Sequence, residues 1–231
     1  MVRTVRHSPK GNLIFFLGKE GKRVMETTKR KIRSDKKRDI KPTISVNLKD
    51  CLYRLSFITN TPVKDVGEVL CVKGLKSRIV MDYLSNYFRR DYKYKSTIYM
   101  GDLERESLQR KFQSGKNERI TLRFKNETYE NISYLSHALD VTPSRATAIL
   151  LDASVRNTNI LNAYVKLYLH EYIDDTRMKE LKQVLKYINN NNPYQEELSW
   201  FALLSIIYEE MKDSTHNVKN LIKNWIDKYR E

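Results

Sequence analysis

Cysteine is nearly missing from this chain of 231 residues: Cys51 and Cys71 are the only two, and both sit among apolar neighbours, where a reduced thiol behaves as a small hydrophobe. That usage fits a reducing cytosol. Histidine is almost as scarce. His7, His137, His170 and His216 share no metal-ligand spacing with the cysteines, so neither a zinc site nor any other metal or cofactor is expected. Long apolar runs are lacking as well. Leu13 to Leu17 stops after five residues at Gly18 and Lys19, too short for a secretory leader. Trp200 to Tyr208, interrupted by a serine, falls far short of the roughly 20 residues that cross a bilayer. A soluble, cytoplasmic protein without membrane attachment is the expectation.

Catalytic signatures are missing too. No histidine opens the His-x-x-Arg element that a tyrosine recombinase needs, since the four read His7-Ser-Pro-Lys, His137-Ala-Leu-Asp, His170-Glu-Tyr-Ile and His216-Asn-Val-Lys. A phosphate-cradling Gly-x-x-x-x-Gly-Lys loop does not occur. Asp174 and Asp175 are adjacent, which on a helix turns them to different faces and makes them a poor metal pair. These absences predict a protein that is not an enzyme and has no catalytic residues.

What is abundant is positive charge: 43 Lys and Arg stand against 28 Asp and Glu, a net charge of +15. A polyanion is the partner such a surplus favours, because every phosphate contact releases condensed counterions and the field attracts from a distance. Residues 1–41 read as a basic N-terminal arm. Between Lys22 and Lys41 ten basic residues meet three acidic ones (Glu26, Asp35, Asp39). The segment is either a solvated tail or an arm that contacts phosphates.

An internal resemblance organises the middle of the chain. Residues 43–49 read Thr-Ile-Ser-Val-Asn-Leu-Lys and residues 119–125 read Arg-Ile-Thr-Leu-Arg-Phe-Lys. Period-two alternation would put Ile44, Val46, Leu48 and Ile120, Leu122, Phe124 on one face of two strands, leaving Ser45, Asn47, Lys49 and Thr121, Arg123, Lys125 on the other. After the second strand, Asn126 can cap a helix carrying Ile132, Leu135 and Leu139, with Glu127 and Glu130 in its first turn. Thr142-Pro143 starts another helix, striped by Ala146, Ile149, Leu150 and Ala153. In the first copy Thr61-Pro62 repeats the start and Val63, Val66 and Leu70 repeat the face, but its first helix would be five residues shorter, because Lys49 to Thr61 is 12 positions and Lys125 to Thr142 is 17. A further helix is expected over 75–88, with Ile79, Tyr83 and Tyr87 on one side.

The segment 91–118 reads as a polar linker, with Gly101 and Gly115 as breakers. From residue 160 to 231 the pattern is helical throughout. Met178, Leu181, Val184, Leu185 and Ile188 form one stripe, Leu198, Phe201, Leu204 and Tyr208 a second, and Val218, Leu221, Ile222, Trp225 and Tyr229 a third. The aromatics Trp200, Phe201 and Trp225 are expected in a core or interface.

Strand, capped helix, Thr-Pro start and second helix, in that order, resemble the ribbon-helix-helix DNA-binding family. The match covers residues 118–156 well, 42–72 loosely, and nothing after 160. The resemblance implies a mainly α fold with a short two-stranded antiparallel ribbon, with a first unit at 42–90 and a second at 119–159, to which the helical periodicity adds an all-α module at 160–231. It further implies sequence-specific binding of double-stranded DNA by a transcriptional regulator or a plasmid or phage maintenance or transfer factor. By the family pattern Ser45, Asn47, Lys49, Thr121, Arg123 and Lys125 would face the bases. Thr142, Ser144 and Arg145, with Thr61 and Lys64 in the first copy, would hold phosphates at helix N-termini. Whether the copies pair within one chain or between chains stays open, and the C-terminal helices are expected to support homo-oligomers or recruit proteins. An alternative reading makes residues 62–88 a helix-turn-helix that turns at Lys73-Gly74 and enters the groove with Lys76, Ser77 and Arg78. A DNA-processing enzyme without recognisable motifs is the other rival.

Overall fold

The computed structural model describes residues 36–109, 115–168, 174–190, 192–195, 199–200, 202–205 and 216–228. The arm at 1–35 and the stripe residues Leu198, Phe201, Tyr208 and Tyr229 lie outside the described residues. In chain order the elements are β1 (Arg38–Ile40), β2 (Thr43–Ser45), α1 (Val46–Thr59), α2 (Val63–Lys76), α3 (Arg78–Ser85), β3 (Tyr92–Tyr94), β4 (Thr97–Tyr99), β5 (Asn117–Arg119), β6 (Leu122–Phe124), α4 (Asn126–Leu139), α5 (Pro143–Arg156), α6 (Thr158–Tyr168), α7 (Asp175–Asn189) and α8 (His216–Lys228). The fold is mainly helical with short two-stranded antiparallel sheets.

β1 pairs with β6 and β2 with β5. Arg38 stands opposite Phe124, Ile40 opposite Leu122, Thr43 opposite Arg119 and Ser45 opposite Asn117. One register runs through both ladders, and between them the Ile120 amide donates to Pro42 O at 3.1 Å. The four pieces are thus one two-stranded ribbon, interrupted where proline has no N–H to give. Alternation turns Ile40, Ile44, Ile120, Leu122 and Phe124 inward, all of them buried.

The first strand ends earlier than the alternation at 43–49 predicts. Ser45 decides this: it sits at φ −64° and ψ 150°, and its hydroxyl accepts from the Leu48 amide at 3.2 Å, which starts a helix at Val46. Leu48, Cys51, Leu52 and Leu55 then recur at helical spacing and are buried. Asn47 and Lys49 are therefore helical. The expected shortening of the first helix is absent, since α1 and α4 are 14 residues each.

The duplication follows a fixed offset. α1 and α4 run over 46–59 and 126–139, and α2 and α5 over 63–76 and 143–156, so both ends of each pair differ by 80. The α3 and α6 starts, 78 and 158, keep that offset. Both first helices end on a left-handed residue, Asn60 at φ 50° and Asp140 at φ 54°, the residue types that tolerate it best. Buried positions repeat likewise: Leu52 with Ile132, Leu55 with Leu135, Leu70 with Leu150, Val80 with Ile160. The ribbon register sets Lys41 opposite Thr121, also 80 apart, so a pseudo-two-fold axis passes between them.

Four helices close the inner face of the ribbon. α2 rides directly on β6: a Cβ on Gly67 would lie 2.5 Å from Leu122 Cδ2, so any larger residue there would have to displace the buried Leu122 side chain. The turn expected at Lys73-Gly74 lies inside α2. The chain breaks instead at Ser77, which caps α3 through Val80 N at 3.4 Å.

Segment 91–118 is more than a linker, for it carries the β3–β4 hairpin and ends in β5. Just before it the chain is tied to α4, where the Arg89 and Arg90 amides donate to Ala138 O at 2.8 and 3.0 Å and their guanidinium groups flank Asp140. Downstream, α7 packs along α1 through an Arg54–Glu180 ion pair and an Arg177 guanidinium 5.6 Å from the Phe57 ring. Both lie in one compact unit, Lys37–Glu231. The Trp200 and Trp225 rings meet edge to face at 6.0 Å. Asp174 caps α7 through Arg177 N at 2.7 Å and Asp175 accepts from Trp225 Nε1 at 2.8 Å, so each carboxylate has a structural partner.

Candidate functional site

The outer face of the ribbon follows from its inner one. Asp39, Lys41 and Thr43 alternate with the buried residues of the first strand, and Arg119, Thr121 and Arg123 with those of the second; Thr43 is half-buried and the other five are exposed. Across the ribbon, Arg123 Nε lies 3.1 Å from Asp39 Oδ1 with both side chains about half exposed. A pair this wet is worth under about 1 kcal/mol. Its effect is geometric: it holds the guanidinium over the ribbon. At the centre, Ser144 Oγ donates to Lys41 O at 2.6 Å, so the first turn of α5 fixes the ribbon midpoint. At the end near Phe124, the Arg38 guanidinium sits 4.7 Å from the Tyr129 ring and Lys37 binds Glu68 at 2.5 Å.

The structure sorts the residues the sequence nominated. Thr121 and Arg123 stand on the outer face as expected, and Lys125 is exposed just past β6, ahead of α4. Ser45 is buried, its hydroxyl committed to the cap of α1. Asn47 is exposed on α1, and Lys49 is ion-paired to Glu118, a hydrogen bond that holds its ammonium pKa above the ordinary value. The strand positions assigned to these three belong instead to Asp39, Lys41 and Thr43, together with Arg119 from the second strand. The missed signal is the constant offset of 80, which aligns Ile40 with Ile120 and Ile44 with Phe124.

Helix starts differ from expectation too. Thr61-Pro62 aligns one residue off Thr142-Pro143, because Pro62 is the N-cap of α2 whereas Thr142 is the N-cap of α5. The Thr61 hydroxyl donates to Thr59 O at 3.0 Å, and Lys64 is exposed in the first turn of α2. In the second copy the Thr142 amide donates to Gln109 Oε1 at 2.9 Å, and Arg145 turns its Nε to Leu108 O at 3.0 Å, where burial lowers its pKa. The N-terminus of α5 is thus already engaged by residues 108–109. Among the helix-turn-helix candidates, Lys76 ends α2, Ser77 caps α3, and Arg78 pairs with Asp82 one turn on at 3.7 Å.

Cys51 and Cys71 are free thiols in the core; desolvation pushes Cys51 up to about 12 and raises Cys71 further. Among the described residues no group of three or more His, Cys, Asp or Glu side chains is placed to hold a metal, and no helix is long and apolar enough to cross a membrane. No protein family, curated protein or solved structure matches the chain.

Proposed function

We propose that this chain binds double-stranded DNA by laying its ribbon in the major groove, a tandem version of the ribbon-helix-helix arrangement its sequence resembles. The observation that carries the reading is the ribbon itself: a solvent-facing two-stranded antiparallel element whose inner face is core and whose outer face offers Lys41, Arg119, Thr121 and Arg123. An element of this width fits the major groove of B-DNA, and arginine matches the paired acceptors of guanine. The basic excess of the chain supports the same partner. Chemistry at the bound duplex is not part of this reading.

The copies differ at each outward position, Asp39 against Arg119, Lys41 against Thr121 and Thr43 against Arg123. The preferred site is accordingly not a palindrome. Selection of bound duplexes from a randomised pool tests this, with one asymmetric motif as the expected product. A failure to enrich any sequence, with retained binding to every duplex, overturns sequence specificity. Nicking or relaxation of supercoiled plasmid with Mg²⁺ by the purified chain overturns the non-enzymatic reading.

A further inference from the structure

The pseudo-two-fold axis relates two grooves of unlike charge. One, of about 270 Å³, lies between α5 and the N-terminus of α1 and includes Ser45, Asp152 and Ala153. The other, of about 700 Å³, lies between α2, the N-terminus of α4 and β3, and includes their equivalents Lys125, Val72 and Lys73.

The first groove has little charge to spare, for Arg145 and Asp152 are the charged residues that line it. Arg156, which ends α5, pairs with Asp152 at 3.1 Å and donates to Tyr187 O and Asn190 O at 3.3 and 2.5 Å. Tyr187 OH donates to Asp152 Oδ1 at 2.7 Å, and the Tyr83 and Tyr194 rings meet at 5.4 Å. The charge of Asp152 is met from inside the fold.

The second groove is basic. Lys73, Lys76, Lys93, Lys95 and Lys125 line it, against Glu68 and Glu127 alone. Glu68 is taken by Lys37. Among the described residues none of the five lysines is in an ion pair, although Lys95 Nζ lies 5.1 Å from the Tyr94 ring. Like charges gathered in a concave, low-dielectric wall repel one another and focus a positive field, which a bound polyanion relieves. Lys125 directly follows β6, so this groove sits at the Arg38–Phe124 end of the ribbon.

We infer that the lysine groove holds the phosphate backbone of the same duplex just beyond the ribbon, on one side only. This rests on the duplex-binding reading above. The β3–β4 hairpin supplies two of the five lysines, which gives the insertion between the copies a task. A contact present at one ribbon end and absent at the other makes the footprint lopsided and fixes the direction in which the protein lies on DNA.

The test uses the full chain and a random-sequence duplex of 40 base pairs, with affinity followed by fluorescence anisotropy across a KCl series. The groove variant carries Lys73→Gln, Lys93→Gln and Lys95→Gln. A control of equal charge carries Lys179→Gln, Lys182→Gln and Lys186→Gln on α7. Each phosphate contact contributes about 0.9 to the slope of log K against log salt. The groove variant is expected to flatten that slope by about two to three, with the control unchanged and both variants folded by circular dichroism. An unchanged slope in the groove variant, with tight binding by the wild type, overturns the groove and spares the ribbon. Equal flattening in both variants reduces the effect to net charge and overturns it as well. A wild type that binds no duplex overturns the duplex reading and this inference together.

Discussion

Gly74 and Ser154 are equivalent residues of the two copies, and they meet: a Cβ built on Gly74 would stand 1.9 Å from Ser154 Oγ and 3.1 Å from Leu150 Cδ1. α2 and α5 cross here, on the axis that also passes between Lys41 and Thr121. Two side chains cannot occupy one point on an axis of symmetry, so one copy keeps a side chain and the other gives it up. Ser154 keeps its own, donating to Leu150 O at 2.6 Å.

Adding a methyl at this crossing forces the helices apart. Gly74→Ala is expected to destabilise the chain by about 1 to 3 kcal/mol, the usual cost of overpacking. Adding Ser154→Gly should restore most of the loss, because the exchange hands the space to the other copy. Urea unfolding of the two variants measures both. A double variant no more stable than the single one would mean that the crossing is not interchangeable between copies.

Base discrimination should follow the ribbon and spare α1. Arg123→Ala is expected to lose about 1 to 3 kcal/mol of preference for the selected site over random duplex, the size of one bidentate base contact. Asn47→Ala and Lys49→Ala should leave that preference unchanged, since both side chains project from a helix behind the strand. Competition titration against random duplex reads the difference.

Asp39 restrains the same arginine. Asp39→Asn removes a negative charge from the outer face and frees Arg123 from its 3.1 Å partner. Affinity for every duplex is expected to rise while discrimination falls. Equal gains on selected and random sequences would leave Asp39 a simple repulsive charge with no part in orientation.

The buried thiols make stability fall at alkaline pH. An unfolded thiol ionises near its ordinary value of 9.0, whereas Cys51 in the fold stays neutral up to about 12. Above pH 9 the unfolded state therefore sheds a proton that the folded state keeps, and stability declines as pH rises toward 12, by about 1.4 kcal/mol per pH unit for one such group. Cys51→Ala should show a shallower decline between pH 9 and 11 in urea titrations, offset by a constant packing loss. An identical slope would mean that Cys51 ionises in the folded chain as readily as in water.

Arg156 fastens α7 to α5. Its guanidinium serves Asp152, Tyr187 O and Asn190 O, with the Tyr187 ring 4.5 Å away. Arg156→Ala strands a largely buried carboxylate and two carbonyls, at a cost of about 1 to 3 kcal/mol. Hydrogen exchange should accelerate at the C-terminal end of α7 before it does in α2. Uniform acceleration would place Arg156 in the general core.

Much of this was legible from residue order. The second copy reads more truly because Thr142 caps α5 as the Thr-Pro pair suggests and the stripe from Ile132 to Leu139 has no competing period, although α4 takes Lys125 and not Asn126 as its N-cap, the Asn126 side chain donating to Glu130 instead. The first copy misleads because Ile44 and Leu48 satisfy two periods at once: in Thr-Ile-Ser-Val-Asn-Leu-Lys they alternate with polar residues, and they also lie one helical turn apart. Only the hydroxyl of Ser45, turned back on Leu48 N, settles the choice. Pro42 further disguises the strand before it, and Lys41 and Asp39 read as the end of a basic tail although they sit on the ribbon. The pairing of Asp152 was not legible at all, because Arg156, Tyr187 and Asn190 converge only through the path of α7.

Both strands of the ribbon belong to one polypeptide, and this changes how the molecule would populate its target. A reading head assembled from two subunits fills its site with the square of protein concentration when the subunits are dilute. If the ribbon reads DNA as proposed, the halves arrive already joined, and occupancy by a single chain would rise with the first power of concentration. Joined halves are also free to diverge, since a change in one is never forced upon the other.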